Sequence, residues 1–260
     1  MGDIKDFKLK KENGGIVPCL VKMPKDLKGI IIMVHGFTSS KSCATAELLF
    51  RSMPPTGYGV ITYDQPGHGE EEALNDPLRI ENCKDSLECV EKYVNENYGN
   101  VPVYYFSSSF GAYITCLYIS TREHRGKKAF LRSAAVNMPE LILSPLKEAW
   151  DENIESFLNK YGYIEPDLGL GASIKIPKEF LKDLSQNNLY EIFDNDKFGH
   201  TDLEFVHGQL DPVVDLKYST EFAKRFGFKI NVIPGEGHSI CDKAQSPDKV
   251  AAFALEFFNK

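Results

Sequence analysis

The sequence predicts an α/β fold, a mostly parallel central sheet with helices on both faces. Three observations predict it. Gly29-Ile30-Ile31-Ile32-Met33-Val34 is apolar without alternation, as in a strand buried on both sides. Other β-branched and aromatic runs, at 59–64 and 101–106, alternate with stretches of helical spacing such as Ile80, Cys83, Leu87, Val90 and Val94. Several runs end in loops rich in Gly, Ser, Pro or His, and right-handed crossovers would gather those loops along one edge of the sheet, where ligands bind.

Residues 4–11 and 16–23 read as two strands joined by Asn13-Gly14-Gly15, a turn sequence suited to positive φ; Pro24 ends the second. The strand 29–34 runs into His35-Gly36-Phe37-Thr38-Ser39-Ser40. A helix over 43–53 follows, with Leu48, Leu49 and Met53 on one side. The strand 59–64 opens into Gln65-Pro66-Gly67-His68-Gly69. Residues 79–97 form a long helix, punctuated by Gly99 and Pro102. The strand 101–106 stops at Ser107-Ser108-Ser109, a helix covers about 110–121, and 128–136 is a further strand.

Between about 138 and 199 the alternation breaks. Residues 140–161 read mainly as helix and hold the single tryptophan, Trp150. The stretch 162–171 is rich in turn residues, 173–176 is strand-like, and 178–192 is helical again. Neither linker composition nor an internal repeat marks this stretch. The chain 1–260 therefore reads as a single domain with a cap insertion at about 138–199, lying over the strand C-termini. Alternation resumes with a strand at 201–207, the loop Gly208-Gln209-Leu210-Asp211-Pro212, a helix at 215–226 and a strand at 228–233. The loop Pro234-Gly235-Glu236-Gly237-His238 and an amphipathic helix over 246–258 close the chain, with Val250, Phe253, Leu255 and Phe257 placed to pack.

The 260 residues, 42% of them hydrophobic, suffice for one large α/β core. Thirty basic against 37 acidic residues give a net charge of -7, which argues against nucleic acid or an anionic membrane as partner. Cys19, Cys43, Cys83, Cys89, Cys116 and Cys241 contain no C-x-x-C pair, and several sit in apolar patterns. That suits reduced thiols of a cytoplasmic protein better than a disulfide framework or a zinc site. The charged start carries no signal-peptide pattern, and Asp6 stands where N-myristoylation needs Ser or Thr. The run 29–34 is too short to span a bilayer. Nothing in the sequence sets an oligomeric state.

The chemistry centres on Ser107-Ser108-Ser109-Phe110-Gly111. A strand that turns sharply into a helix with a serine at the apex is a nucleophile elbow, and its usual pattern is G-x-S-x-G. Here Ser107 replaces the first glycine, and in isolation the serines read more readily as a helix N-cap. A serine hydroxyl becomes nucleophilic only when a base, usually a histidine oriented by a carboxylate, takes its proton. Ser109, Asp211 and His238 each follow a predicted strand, in the order Ser, Asp, His. Taken singly, Asp211 before Pro212 is an ordinary turn residue and His238 a loop histidine; in this order and placement they reinforce one another. His124 and His200 have no suggestive context, His207 falls within or just after its strand, and His68 sits in a loop of a kind often seen near such sites without being catalytic. An oxyanion would need preorganised N–H donors, for which Phe110 and Phe37 are placed.

These stretches, together with Val34-His35-Gly36-Phe37, Tyr63-Asp64-Gln65-Pro66-Gly67-His68-Gly69, His207-Gly208-Gln209-Leu210-Asp211-Pro212-Val213-Val214 and Gly235-Glu236-Gly237-His238, run in family order over nearly the whole chain. The sequence resembles the α/β-hydrolase fold family, close in style to bacterial carboxylesterases of the feruloyl/cinnamoyl esterase and monoacylglycerol lipase kind. The resemblance implies serine-dependent hydrolysis of a small-molecule ester, with Ser109 as nucleophile, His238 as base and Asp211 as orienting acid. Phe37 and Phe110 would supply the oxyanion N–H groups, and no metal or organic cofactor is implied. The insertion falls where the family carries its cap, between the sixth and seventh family strands. Its Leu, Ile and aromatic residues suggest an apolar acyl or aryl pocket. An aminopeptidase or a thioesterase could use the same triad, and Glu152, Glu155, Glu165 and Asp167 could hold a substrate amine. A non-catalytic binding protein is a further reading, though such proteins usually lack part of the triad, and a dehalogenase would need a carboxylate at position 109.

Overall fold

The computed structural model describes residues 2–166 and 174–260. In chain order the elements are β1 (Lys5–Lys10), β2 (Ile16–Lys22), β3 (Gly29–Val34), α1 (Ala44–Ser52), β4 (Tyr58–Tyr63), α2 (Glu71–Leu74), α3 (Ile80–Tyr98), β5 (Val103–Ser108), α4 (Phe110–Thr121) and β6 (Gly126–Arg132). Then come α5 (Met138–Ala149), α6 (Glu152–Tyr161), β7 (Tyr163–Ile164), β8 (Ile176–Pro177), α7 (Lys178–Gln186), α8 (Leu189–Ile192), β9 (Asp202–Gly208), α9 (Leu216–Phe226), β10 (Lys229–Ile233) and α10 (Ser246–Asn259).

The main sheet has the order β1-β2-β4-β3-β5-β6-β9-β10. β2 runs antiparallel to β1 and β4, and the other pairings are parallel. Alternation within β3 feeds a core on each face: Ile30, Ile32 and Val34 join the one with α3, α4 and α7, whereas Ile31 and Met33 join the one with α1 and α10. This is why β3 shows no polar positions. α4 lies under the sheet centre and is buried from Phe110 to Ser120, so its sequence is apolar nearly all round. The outer strand β1 keeps Lys5, Lys8 and Lys10 exposed, which discourages edge-to-edge pairing.

Three expectations about boundaries change. The strand expected at 128–136 is β6, which stops at Arg132, because Ser133 turns the chain with φ 47. The helix expected over 140–161 is two helices: Asp151 is extended and accepts from the Asn153 and Ile154 N–H groups at 3.0 and 2.8 Å, starting α6 afresh. The helix expected over 178–192 breaks in the same way, where Asn188 accepts from the Tyr190 N–H at 3.1 Å. Of the turn-rich and strand-like pieces at 162–176, residues 167–173 lie outside the described residues; β7 and β8 pair antiparallel on either side of them.

The stretch between β6 and β9 is fastened to the sheet's helices by polar contacts. Arg79 donates from Nε and Nη2 to Asp183 on α7, both at 2.7 Å, and Asp183 also accepts the Ile80 N–H at 3.1 Å, capping α3 from the inserted segment. Tyr113 donates to the Asn187 carbonyl at 2.7 Å, and Tyr218 donates to Glu140 at 2.6 Å. Phe180 of α7 is fully buried, with ring centroids 6.1 Å from Phe37 and 5.9 Å from Phe110. Burial of a side chain that size contributes roughly 2–3 kcal/mol. It sets α7 over the loops that follow β3 and β5.

Candidate active site

β5 delivers the chain to Ser109, which takes φ 51 and ψ -116 before α4 begins. A non-glycine residue in that region carries strain, and here it lifts the side chain out of the sheet. The turn is so tight that a Cβ on Gly111 would lie 2.2 Å from the Val34 carbonyl oxygen, so that position must be glycine. Ser107, in place of the usual elbow glycine, is accommodated: its hydroxyl is 2.7 Å from Thr115 Oγ1 on α4, in a fully buried pair. Ser109 is the N-cap residue of α4 but its side chain makes no capping hydrogen bond. Its Oγ is instead 3.0 Å from His238 Nε2.

His238 lies on the loop after β10, and its Nδ1 is 2.7 Å from Asp211 Oδ2. With Nδ1–H donating to the carboxylate, Nε2 is left as acceptor for the Ser109 hydroxyl proton. Asp211 is held from several sides. Its Oδ1 accepts the Val213 and Val214 N–H groups at 2.8 and 2.9 Å, and its Oδ2 also lies 3.0 Å from His207 Nε2. Burial pushes this carboxyl up, but the hydrogen bonds from His207 and His238 outweigh it and hold the group below the ordinary carboxylate range. The pair of loops meets because Leu210 N–H donates to the Glu236 carbonyl at 2.8 Å. The Glu236 carboxylate, fully buried, accepts from Asp242 N–H at 2.9 Å, Lys243 N–H at 3.0 Å and Ser246 Oγ at 2.7 Å, which fixes the His238 loop to the start of α10.

The N–H groups of Phe37 and Phe110 donate to no other described residue. Phe110 N–H is one of the orphan donors at the start of α4. Phe37 follows Gly36, whose Cβ, if it had one, would stand 3.4 Å from Ser109 Cβ, so the two loops touch at Ser109. The Phe37 loop is braced from below. His35 Nε2 accepts from the Gln65 N–H at 3.0 Å, Gln65 Nε2 donates to the His35 carbonyl at 2.6 Å, and His35 Nδ1 donates to the Gly36 carbonyl at 2.8 Å. His68 donates from Nδ1 to the Pro66 carbonyl at 2.9 Å and packs its ring against His35 and Phe37.

Both of these bracing histidines are sealed. Burial pushes the His35 pKa down to about 4, and burial with the neighbouring His35 pushes His68 down to about 3. The unfolded chain takes up protons at both near pH 6.5, whereas the folded chain refuses them until about pH 4. Stability should therefore be constant for these groups above pH 6.5 and fall as pH drops towards 4. With each pKa unit worth about 1.4 kcal/mol, the loss is on the order of several kcal/mol. Urea unfolding at pH 7, 6 and 5 measures it, and His68→Gln should flatten the slope; a wild-type stability unchanged down to pH 5 would contradict the buried-neutral assignment.

Among the described residues the non-glycine positions with positive φ are Thr38, Ser109, Ser133 and Ile240. All four surround the same place, so backbone strain is concentrated there. Ser133 donates from its hydroxyl to the His238 carbonyl at 2.7 Å. Beside Ser109 opens a cavity of about 390 Å³, walled by Met33, Leu48, Met138, Ile142, Ile240 and Val250 among others. The inserted stretch contributes Met138, Leu141 and Ile142 to that wall, and none of its described aromatic residues; Met33, Phe37, Val213, Ile240 and residues of α1 and α10 supply the rest of the apolar lining. Of the Leu, Ile and aromatic residues expected from the insertion, Leu141 and Ile142 line the cavity and none of the described aromatic ones does.

The structure thus brings Ser109, Asp211, His238, Phe37 and Phe110 to one edge, and leaves His124 and His200 away from it. Two residues escaped the reading of the sequence. His207 shares Asp211 with His238, and its only signal was the His207-x-x-x-Asp211 spacing at a strand end. Arg132 lines the cavity with no motif to mark it. Among the described residues no group of three or more His, Cys, Asp or Glu is placed to hold a metal ion, and no helix is long and apolar enough to cross a membrane.

A sequence model of the Hydrolase_4 family, described as serine aminopeptidase, S33, matches residues 25–197. The chain belongs to this α/β-hydrolase family. The matched span is more than half the chain and contains Phe37, Ser109 and Phe110, but ends before Asp211 and His238. No functionally curated protein matches the chain in sequence. Among solved structures it is similar to Est1E from Butyrivibrio proteoclasticus, solved with ferulic acid bound, at 19% identity and TM-score 0.80, covering 98% of this chain and 100% of that one. It is also similar to the esterase domain of a Rhodothermus marinus protein, at 17% identity and TM-score 0.71, covering 98% and 97%. A Pyrococcus furiosus esterase matches at 17% identity and TM-score 0.69, covering 99% and 91%. At these identities the likenesses show a shared fold.

Proposed function

We propose that this member of a hydrolase family cleaves a small-molecule carboxylic ester through an acyl-enzyme on Ser109. The observation that carries the reading is the relay from Ser109 Oγ to His238 Nε2 at 3.0 Å and from His238 Nδ1 to Asp211 at 2.7 Å. As Ser109 Oγ adds to the ester carbonyl carbon, its proton passes to His238 Nε2, and Asp211 stabilises the imidazolium. The carbonyl oxygen takes the negative charge and is met by the N–H groups of Phe37 and Phe110. Collapse breaks the bond to the alcohol oxygen, which leaves with the proton from His238. Water, deprotonated by His238, then adds to the acyl carbon and releases the acid, restoring Ser109. The cavity of about 390 Å³ suits a small to medium acyl or aryl group. We read residues 138–199 as a cap within one domain, its helix α7 standing over both oxyanion donors.

The family description favours a second reading, an aminopeptidase. That chemistry needs acidic groups for a substrate amine. Among the described residues no Asp or Glu lines the cavity, and Glu152, Glu155 and Glu165 are exposed outside it; Asp167 lies outside the described residues. This supports the ester reading. A fluorophosphonate probe should form one adduct, mapped by mass spectrometry to Ser109, and short p-nitrophenyl esters should turn over faster than aminoacyl anilides. Faster anilide cleavage would turn the assignment to a peptidase, and absence of any adduct would turn it to a binding protein.

A further inference from the structure

Arg132 ends β6 directly beside the elbow: it pairs in register with Ser108, and its carbonyl accepts the Ser109 N–H at 2.9 Å. Its guanidinium spans the site. Nε donates to Ser108 Oγ at 3.1 Å, and Nη1 donates to the Ser239 carbonyl, next to His238, at 2.6 Å. Nη2 has no partner among the described residues, and it is not sealed from solvent. Among the described residues no Asp or Glu lines the cavity with it; Cys43, Cys241, Leu48, Ile240 and Val250 do.

A guanidinium is charged at any physiological pH. Set in a largely apolar cavity with no carboxylate ion-paired to it among the described residues, it has given up part of its hydration for two neutral hydrogen bonds. A leucine or methionine would fill the space without that cost. The two engaged nitrogens fix the fork, so the free Nη2 is presented in one place rather than on a swinging side chain. We infer that Arg132 receives an anionic group of the substrate, and that the natural ester therefore carries a carboxylate within reach of Nη2. The single free nitrogen, with two N–H donors, matches one carboxylate group. The Ser108 and Ser239 contacts make Arg132 a positioning residue for the elbow and the His238 loop as well. The inference rests on the ester reading above.

The experiment uses pairs of esters matched in shape. One pair puts the charge on the acyl side: p-nitrophenyl hydrogen glutarate against p-nitrophenyl pentanoate. The other puts it on the alcohol side: 3-carboxypropyl against butyl esters of one acid. In at least one pair the wild-type enzyme should favour the charged member by about tenfold or more in kcat/KM, as a charge-assisted hydrogen bond allows, and chiefly through KM. Arg132→Gln should remove that preference, and Arg132→Lys should restore part of it. Equal losses on charged and neutral esters in Arg132→Gln would reduce the residue to positioning and overturn the inference. So would a wild-type enzyme without preference in either pair, which needs no variant to fold. If Ser109 is labelled and neutral esters turn over without charge preference, only this inference falls. If neither labelling nor turnover occurs, the ester reading falls and takes it along.

Discussion

Ser109→Ala should lower ester turnover by about a million-fold and abolish fluorophosphonate labelling, since removing the nucleophile leaves only binding and the oxyanion donors. The fold should survive: the described partner of Ser109 Oγ is His238, and the strained φ of 51 is imposed by the backbone around it rather than by the hydroxyl. His238→Ala should cost about as much, and the double variant no more than either single one, because the residues act as one unit. Asp211→Asn should be milder, a loss of about ten-thousand-fold. The amide can offer only its oxygen where the carboxylate now accepts from Val213, Val214, His207 and His238. With the amide oxygen on the two backbone N–H groups, its NH₂ faces His238 Nδ1 and the His238 tautomer is lost; turned the other way, the NH₂ is set against those backbone donors. His207→Gln should fall below these in effect, since it touches Asp211 and not the reacting atoms. Single-turnover rates with p-nitrophenyl butyrate read all five variants. Retention of more than about a thousandth of the activity in Ser109→Ala would remove Ser109 from the chemistry.

How much of this was legible in the sequence follows from how local each signal is. The strand β3 was plain because burial on both faces leaves no polar position between Ile30 and Val34. The elbow, the Asp211 loop and the His238 loop were plain because each is a strand end followed by turn residues, and the sheet itself gathers strand ends. The breaks at Asp151 and Asn188 were hidden because helical spacing continues through them; only the capping side chains mark the restart. The strand at 128–136 ran too long because Ala134, Ala135 and Val136 are buried and apolar, although Ser133 has already turned the chain off the sheet. Arg132 and His207 were hidden for another reason. Arg132 meets Ser239 only after the sheet has assembled, and His207, four residues from Asp211, takes its meaning from His238, which reaches the same carboxylate from the loop after β10. The part of the cavity wall that Leu48, Ile240 and Val250 supply from α1, the His238 loop and α10 was hidden for the same cause.

Gly208→Ala should lower kcat by about a hundredfold, the cost of displacing catalytic groups by about 1 Å, and destabilise the fold by about 3 kcal/mol through overpacking. Gly208 ends β9, paired with Ile233 of β10, three residues before Asp211. Its φ is not in the left-handed region, so the backbone itself would tolerate alanine. The obstacle is space: a Cβ there would lie 2.2 Å from the Gly237 carbonyl oxygen and 2.5 Å from that of Glu236. These are backbone atoms of the loop that carries His238, and that loop cannot retreat. The Glu236 carboxylate ties it to Asp242, Lys243 and Ser246, and the Glu236 carbonyl already holds Leu210 N–H. The strain must therefore open the gap between the Asp211 loop and the His238 loop, which lengthens the 2.7 Å contact that orients the imidazole. Gly237→Ala is the control, because its Cβ would meet Asp242 Oδ2 at 3.2 Å and Pro212 Cδ at 3.8 Å, contacts that side chains can relieve. Kinetics and urea unfolding on both variants separate the cases. If Gly208→Ala kept kcat within about threefold of wild type, the close approach would be packing alone; if it falls while Gly237→Ala does not, the missing Cβ at 208 is what lets an aspartate from one strand and a histidine from the next share a proton.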